Sequence, residues 1–203
     1  FQQIELDSIK NLLQYAPQIQ QLQQAIATTL NDGNKIFILG CGASGRLAML
    51  LKRLWESYNP DLPKQIVCVA AAGDVSLIKS VEQFEDHAEF GVKQLLTQGY
   101  TNNDLVIGLS ASGESPFILA GVEYAKSTSR YKPYLVFNNP ISSLLERNSK
   151  HILHDQNGIN ALYLEVGPMA LTGSTRLQAT TAMQIALGLA LCSKNPDISA
   201  QIE

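Results

Sequence analysis

Ile36-Phe-Ile-Leu-Gly-Cys-Gly-Ala-Ser-Gly-Arg46 is a short apolar run that passes into a glycine-rich turn and then opens an amphipathic segment at Leu47. This order predicts a strand, an anion-binding loop and a helix. Gly40, Gly42 and Gly45 allow a tight turn in which the backbone can approach a ligand closely. The free N–H groups of the first helical turn attract phosphate.

A second loop of the same kind, Ser110-Ala-Ser-Gly-Glu-Ser115, follows an apolar run at about 104–109. Pro116 suits the first position of the helix that comes next. Three serines offer hydroxyl donors, and Gly113 leaves the neighbouring amides unobstructed. Since open parallel sheets place their ligands at strand ends, the pair of loops predicts a site for one compact tetrahedral anion, a phosphomonoester.

The spacing Gly40-x-Gly42-x-x-Gly45 also fits a dinucleotide-binding fingerprint, which requires an acidic residue about twenty positions further on. Glu56 and Asp61 stand at that distance but precede the next apolar run, at about 65–70. They would therefore lie at the wrong end of the second strand. The phosphomonoester is the better interpretation, and we expect neither a nicotinamide nor a flavin, nor any other cofactor.

Alternating strands and helices predict a three-layer αβα sandwich with a mainly parallel five-stranded sheet. The predicted strands are at about 35–40, 65–70, 104–109, 134–137 and 161–165. The predicted helices are two in 1–32, then 44–58, a long acidic helix after Ala71-Ala-Gly-Asp74, 116–126 and 177–192. In the acidic helix we expect Ile78, Val81, Phe84, Ala88, Val92 and Leu95 to face inward. A short helix near 141–147, a strand at 151–154 and a turn at 155–158 all fit the stretch 141–160. We expect one domain at 33–203, on which the N-terminal helical segment 1–32 packs.

The composition is that of a globular protein, with 45% apolar and 16% charged residues among 203 and a net charge of −3. Basic residues are scattered singly, which argues against nucleic acid and anionic membranes as partners. Cys41, Cys68 and Cys192 are odd in number and far apart, so we expect reduced thiols in the cytoplasm. Cys41 is interpreted as a small packing residue. The pair His151 and His154 lacks further ligands at a recognised spacing, so no metal site is predicted.

Five blocks occur in one order along the chain and carry a family resemblance. They are Gly40-Cys-Gly-Ala-Ser-Gly-Arg46, Ala71-Ala-Gly-Asp74, Phe84-Glu-Asp86, Ser110-Ala-Ser-Gly-Glu-Ser-Pro116 and Gly167-Pro-Met-Ala-Leu-Thr-Gly-Ser-Thr-Arg176. Together they resemble the sugar isomerase (SIS) domain, in the branch that holds N-acetylmuramic acid 6-phosphate etherase and the glucokinase regulatory protein. The resemblance covers residues 33–192. It implies a flavodoxin-like doubly wound sheet and a homodimer. The apolar helix 177–192 is expected to lie inside the fold or in a subunit contact, and it is a candidate for the contact of that dimer.

The resemblance also implies a site for a hexose or amino-sugar 6-phosphate. The serines expected to bind the phosphate are Ser44, Ser110, Ser112 and Ser115. Further contacts with the substrate are expected from Gly42, Ala43, Gly45, Gly113, Glu114, Ser174 and Thr175. Arg46 pairs either with the phosphate or with a neighbouring carboxylate.

Catalysis in the resembling etherases removes lactate from the sugar and needs an acid and a base on either side of it. Glu85 matches one of the two glutamates that carry this chemistry, and Leu54 stands in place of the other. Met169 occupies a third acidic position of the family. This pattern indicates a sugar-phosphate-binding protein that is regulatory, with a protein partner, or altered in catalysis.

The alternative is an etherase-like lyase or a sugar-phosphate isomerase with a relocated acid. Glu56, Glu114 and Glu165 are the candidates for that acid.

Overall fold

The computed structural model describes residues 2–78, 84–144, 158–174, 177–193, 195 and 197–202. Its helices are α1 (Gln2–Lys10), α2 (Ala16–Asn31), α3 (Gly42–Tyr58), α4 (Val75–Ile78), α5 (Ala88–Thr97), α6 (Pro116–Thr128), α7 (Ile141–Leu144), α8 (Gln178–Cys192) and α9 (Ser199–Ile202). Its strands are β1 (Ile36–Gly40), β2 (Ile66–Ala70), β3 (Leu105–Leu109), β4 (Tyr134–Phe137) and β5 (Asn160–Tyr163). Among these helices, none has the length and apolar character needed to cross a membrane.

The five strands form one sheet in the order β2-β1-β3-β4-β5, and all neighbouring strands are parallel. Gly40 at the end of β1 is level with Ala70 on one side and Leu109 on the other. The loops that follow β1, β2 and β3 therefore leave the sheet at the same edge. The predicted α/β class and five-stranded sheet are confirmed.

Side chains alternate along each strand, so the apolar residues point to both faces of the sheet, and helices cover both. In β1, Ile36 and Ile38 pack with α2, α3 and α8, whereas Phe37 and Leu39 pack with residues of α5 and α6. All four side chains are fully buried. The N-terminal helix α2 contributes Ile19, Leu22 and Ile26 to the first of these two cores.

Helix α8 is apolar nearly all round, and the fold explains why. It packs against α1, α2 and α3 of the same chain, and Ala186 and Leu187 are fully buried. The structure thus places this helix inside the fold. Gln184 on this helix is exposed, and the subunit contact through 177–192 stays a prediction.

The predicted long acidic helix is wrong, because the described part of this stretch forms two separate helices, α4 and α5. Ile78, expected to face inward, is 92% exposed, and Val81 lies outside the described residues. His87 adopts an extended conformation (φ −100°, ψ 98°) just before α5 begins. Phe84 stacks on Phe90 with ring centroids 5.3 Å apart. These apolar residues pack on each other across a turn and do not line one helix.

The stretch 141–160 contains α7, which begins at the predicted residue, and the start of β5. The predicted strand at 151–154 and most of the turn at 155–158 lie outside the described residues.

Candidate functional site

A cavity of about 760 Å³ opens at the carboxyl edge of the sheet, and we call it the serine cavity. Residues 41–44 line it from the start of α3, and 110–112 with Ser115 line it from the loop after β3. Residues 171–174, ahead of α8, close it from another side. Glu85 is the one lining residue of the described chain that carries a formal charge. Ile118, Thr180 and Met183 complete the wall.

The two loops expected to share an anion are in contact at this cavity. Cys41 Sγ, just after β1, lies 3.3 Å from Ser115 Oγ, just before α6. Both side chains line the cavity. A small ligand in this cavity would therefore reach both loops.

Gly40 and Gly113 make this close approach possible, and neither of them lines the cavity. A Cβ on Gly40 would lie 2.5 Å from the backbone carbon of Ser44, so only glycine lets α3 start directly above β1. Gly113 has φ +76°, a conformation that favours glycine. Gly45 and Gly113 are both buried and are not among the lining residues. They shape the loops, whereas Gly42 and Ala43 face the cavity.

The hydroxyl of Ser44 is already used by the backbone. Ser44 Oγ donates to the carbonyl oxygen of Cys41 at 2.8 Å and accepts the Cys41 N–H at 3.0 Å. A serine hydroxyl has one proton. Ser44 therefore lines the cavity but acts as a cap on α3 in this conformation.

Ser110 and Ser112 lie side by side, with their Oγ atoms 3.3 Å apart. Ser110 Oγ accepts the Gly113 N–H at 3.0 Å, and Ser112 Oγ accepts the Glu114 N–H at 3.2 Å. Only one of the two hydroxyl protons can lie between the oxygens. Ser110 is 3% exposed and Ser112 is half-buried, so Ser112 is the more accessible hydroxyl of this pair.

Ser115 takes part in a short relay of hydrogen bonds. Its Oγ donates to the carbonyl oxygen of Glu85 at 3.4 Å, and its second contact is the Cys41 thiol. Burial raises the pKa of the Cys41 thiol to about 12, and the carboxylates of Glu85 and Asp86 add to this rise. The thiol is thus protonated at neutral pH and donates to Ser115. The relay ties the Glu85 segment to both loops.

The remaining predicted contact residues are divided between the cavity and its surroundings. Ser174 lines the cavity, whereas Glu114 does not, and Thr175 lies outside the described residues. Arg46 is exposed, and its Nη2 donates to the carbonyl oxygen of Ser76 at 3.4 Å. This partner is a backbone carbonyl oxygen, whereas the sequence predicts a phosphate or a carboxylate as the partner of Arg46.

Among the acidic residues considered for catalysis, only Glu85 lines the serine cavity within the described chain. Glu56 lies 3.9 Å from Lys52 and 3.8 Å from Arg53, and it lines a different cavity. Glu165 lines a third cavity.

Two positions at which the etherases carry acids hold apolar side chains here. Leu54 is half-buried on α3 and lines none of the cavities described here. Met169 lines the same cavity as Glu165.

Within the described chain, no histidine lines the serine cavity. His87 is exposed, with Nδ1 3.1 Å from a Glu89 carboxylate oxygen. His151 and His154 lie outside the described residues. No group of three or more His, Cys, Asp or Glu residues able to hold a metal is found in the part that the structure describes.

Several lining residues were not among the predicted contacts. Cys41 was interpreted as packing, and it is indeed 8% exposed, yet it also faces the cavity. Thr172 belongs to the block 167–176, one of the five that carry the family resemblance. Thr180 and Met183 are three residues apart at the start of α8, so they lie on one face of that helix. This spacing of three residues is the sequence signal that could have identified the pair.

Comparisons with known proteins agree with this architecture. The family model of the glucokinase regulatory protein N-terminal SIS domain matches residues 18–126. Two relatives are N-acetylmuramic acid 6-phosphate etherases. That of Klebsiella aerogenes is 32% identical over 175 residues, 86% of this chain and 55% of that protein. That of Aliivibrio fischeri is 33% identical over 178 residues, 85% of this chain and 54% of that protein. The chain thus spans about half the length of these curated relatives.

Solved structures support the fold. A phosphoheptose isomerase from Francisella tularensis superposes with a TM-score of 0.62 at 22% identity, covering 96% of this chain and 93% of that one. The C-terminal domain of a glucosamine-fructose-6-phosphate aminotransferase from the same organism has a TM-score of 0.54 at 15% identity, covering 98% and 50%. With the family match over more than half of its length, the chain belongs to the SIS-domain family of the glucokinase regulatory protein N-terminal domain.

Proposed function

We propose that the serine cavity binds the phosphate of a hexose or amino-sugar 6-phosphate. The observation that carries this proposal is the 3.3 Å contact between Cys41 and Ser115, which joins the start of α3 and the loop after β3 in one cavity. A helix start with free N–H groups favours an anion. The relatives are named for an amino-sugar 6-phosphate, which agrees with a sugar phosphate as the ligand.

Neutral donors hold the phosphate in this proposal. The N–H groups of Gly42 and Ala43 stand at the first two positions of α3, where a helix offers no internal acceptor. In this proposal Ser110 donates to Ser112, and the Ser112 hydroxyl donates to the phosphate. Ser110, Ser115 and the capping hydroxyl of Ser44 hold the two loops in shape.

The number of carboxylates on the wall of the serine cavity supports the proposal that catalysis is altered. Elimination needs a base and an acid on two sides of the sugar, and Glu85 is the only carboxylate that lines the serine cavity in the described chain. Leu54 cannot carry a proton. We therefore propose a cytoplasmic homodimer that binds the sugar phosphate and regulates a protein partner or a neighbouring domain.

A second candidate function is an etherase-like lyase or a sugar-phosphate isomerase. The position of Glu85 on the cavity wall favours it, since this residue matches a catalytic glutamate of the resembling etherases. One carboxylate with water as the other proton carrier would suffice for a slow reaction.

Thermal unfolding with added ligand tests binding. Glucosamine 6-phosphate and fructose 6-phosphate are compared with glucosamine, fructose and NAD. A ligand at a hundred times its Kd stabilises the folded state by about 2.7 kcal/mol. We expect stabilisation by the phosphate esters alone, and stabilisation by NAD alone would show that the proposal is wrong.

Lactate release distinguishes the two candidate functions. N-acetylmuramic acid 6-phosphate is incubated with the protein and with Glu85→Gln, and free lactate is measured. The regulatory proposal expects no release above background from either protein. Multiple-turnover release that disappears in Glu85→Gln would establish the lyase instead.

A further inference from the structure

Within the described chain, the only formal charge on the wall of the serine cavity is negative. It belongs to Glu85, whose side chain is exposed. Arg46 is not among the lining residues, and its guanidinium contacts the Ser76 carbonyl oxygen at 3.4 Å. The proposed phosphate donors are neutral. A sugar phosphate with no other charge would therefore bring an anion to a wall that already carries a carboxylate.

The charge of Glu85 acts at the point where the two loops meet. Cys41 Sγ lies 3.3 Å from Ser115 Oγ at that point. Burial is the main cause of the raised pKa of the Cys41 thiol, and the carboxylates of Glu85 and Asp86 contribute to the rise. A carboxylate that disfavours a thiolate at this position also disfavours the charge of a phosphate nearby. Glu85 thus opposes the binding of a ligand whose only charge is its phosphate.

The turn that carries Glu85 is attached to the rest of the site on two sides. Phe84 stacks on Phe90 with ring centroids 5.3 Å apart. The Glu85 carbonyl oxygen accepts a hydrogen bond from Ser115 Oγ at 3.4 Å. Asp86, the next residue, is also exposed but does not line the cavity. The turn therefore presents one carboxylate, that of Glu85, to a ligand in the cavity.

An ammonium group on the ligand would replace this repulsion by attraction. A cation beside a carboxylate gains Coulomb energy and charge-assisted hydrogen bonds, whereas a neutral hydroxyl offers a hydrogen bond without a compensating charge. Because Glu85 is exposed, we expect the gain of a surface ion pair, about two- to fivefold in affinity. The cavity of about 760 Å³ has the size of a small-molecule site, so one ligand can carry both charged groups.

We propose that the serine cavity prefers sugar phosphates with a free amino group, because the Glu85 carboxylate binds the ammonium while neutral donors of the two loops bind the phosphate. This inference rests on the proposed phosphate site. It narrows the preferred ligand from hexose and amino-sugar phosphates in general to hexosamine 6-phosphates whose amine is unmodified. Glu85 is then the residue that determines this specificity.

Glucosamine 6-phosphate and glucose 6-phosphate are a matched pair, since they differ only in an amino or a hydroxyl group on one ring carbon. Each is titrated, at neutral pH and low salt, into protein labelled with ¹³C at the methionine methyl groups. Met183 lines the serine cavity and Met49 lines a cavity beside β2, so a shift of Met183 alone reports binding in the serine cavity. We expect glucosamine 6-phosphate to bind about two- to fivefold more tightly. High salt should reduce this ratio.

Glu85→Gln tests the residue directly. Because Glu85 is exposed, we expect this variant to keep the unfolding temperature of the parent. Its affinity for glucose 6-phosphate should rise, and the preference for the amino sugar should disappear. Asp86→Asn is the matched control, since it removes a carboxylate of the same turn that does not line the cavity. This control should keep the preference.

Three results would overturn the inference and leave the phosphate site in place. They are equal affinities of the parent for the two ligands, a preference that Glu85→Gln retains, and a loss of preference in Asp86→Asn as large as that in Glu85→Gln. A Met183 signal that neither ligand shifts would instead overturn the proposed function, and this inference with it.

Discussion

Replacing Ser112 by alanine removes the more accessible hydroxyl of the Ser110 and Ser112 pair on the wall of the serine cavity. Its Oγ accepts the Glu114 N–H at 3.2 Å and lies 3.3 Å from Ser110 Oγ. The lost interaction is a hydrogen bond to a charged phosphate, worth about 1.5–3 kcal/mol. Since about 1.4 kcal/mol is tenfold in affinity, we expect sugar-phosphate binding to weaken by roughly 10- to 150-fold.

Ser44→Ala is the matched control, because this serine also lines the cavity but has its proton on the carbonyl oxygen of Cys41 at 2.8 Å. Loss of a helix cap costs about 0.5–2 kcal/mol of stability. We expect a lower unfolding temperature and nearly unchanged affinity for Ser44→Ala. Ser112→Ala should show the reverse pattern.

Calorimetric titration with glucosamine 6-phosphate, together with unfolding curves without ligand, measures both quantities. Ser127→Ala is a further control, because its hydroxyl only donates to Tyr124 within α6. The assignment of protons to the serines is refuted if Ser112→Ala binds as tightly as the parent, or if Ser44→Ala loses more affinity.

Three further predictions concern stability. Gly91→Ala should cost several kcal/mol in urea unfolding, because its Cβ would lie 2.0 Å from the Phe117 carbonyl oxygen where α5 meets α6; Gly188→Ala has no atom within 4 Å and should stabilise by about 0.5–1 kcal/mol. Asp104 is 3% exposed and accepts two backbone N–H groups and a hydroxyl; Asp104→Asn should lose about 2–3 kcal/mol, and an unchanged urea midpoint would contradict this role. The free energy of unfolding should fall as pH rises from 9 toward 12, because unfolded thiols ionise near pH 9 while burial raises the pKa of both Cys41 and Cys68 to about 12 in the fold; each thiol removes about 1.4 kcal/mol per pH unit, and Cys41→Ala should remove its share of this slope.

The sheet could be predicted from the sequence because its strands are nearly continuous apolar runs that pass into turns rich in glycine, serine or asparagine. β1 to β4 begin and end within one residue of their predicted bounds. A parallel strand that is covered by helices on both faces has a nearly continuous apolar sequence. The convergence of the two loops followed from the same reasoning, since parallel strands end at one edge.

The acidic stretch after β2 could not be predicted in this way. Its apolar residues have helical spacing, but Phe84 and Phe90 meet across a turn at His87. A periodic pattern does not show where tertiary packing interrupts a helix. The hydrogen-bond partners of the serines could not be predicted either, because the sequence does not show that Ser44 Oγ donates to the Cys41 carbonyl oxygen while Ser112 Oγ accepts the Glu114 N–H.

The central claim is tested most directly by following the Met183 methyl group during a titration with glucosamine 6-phosphate. Met183 stands on the wall of the serine cavity, and Met49 lies elsewhere. The account predicts a saturable shift of Met183 that inorganic phosphate suppresses by competition and that leaves Met49 unchanged. A Met183 signal that stays fixed while the ligand binds would place the phosphate outside the serine cavity and contradict the account.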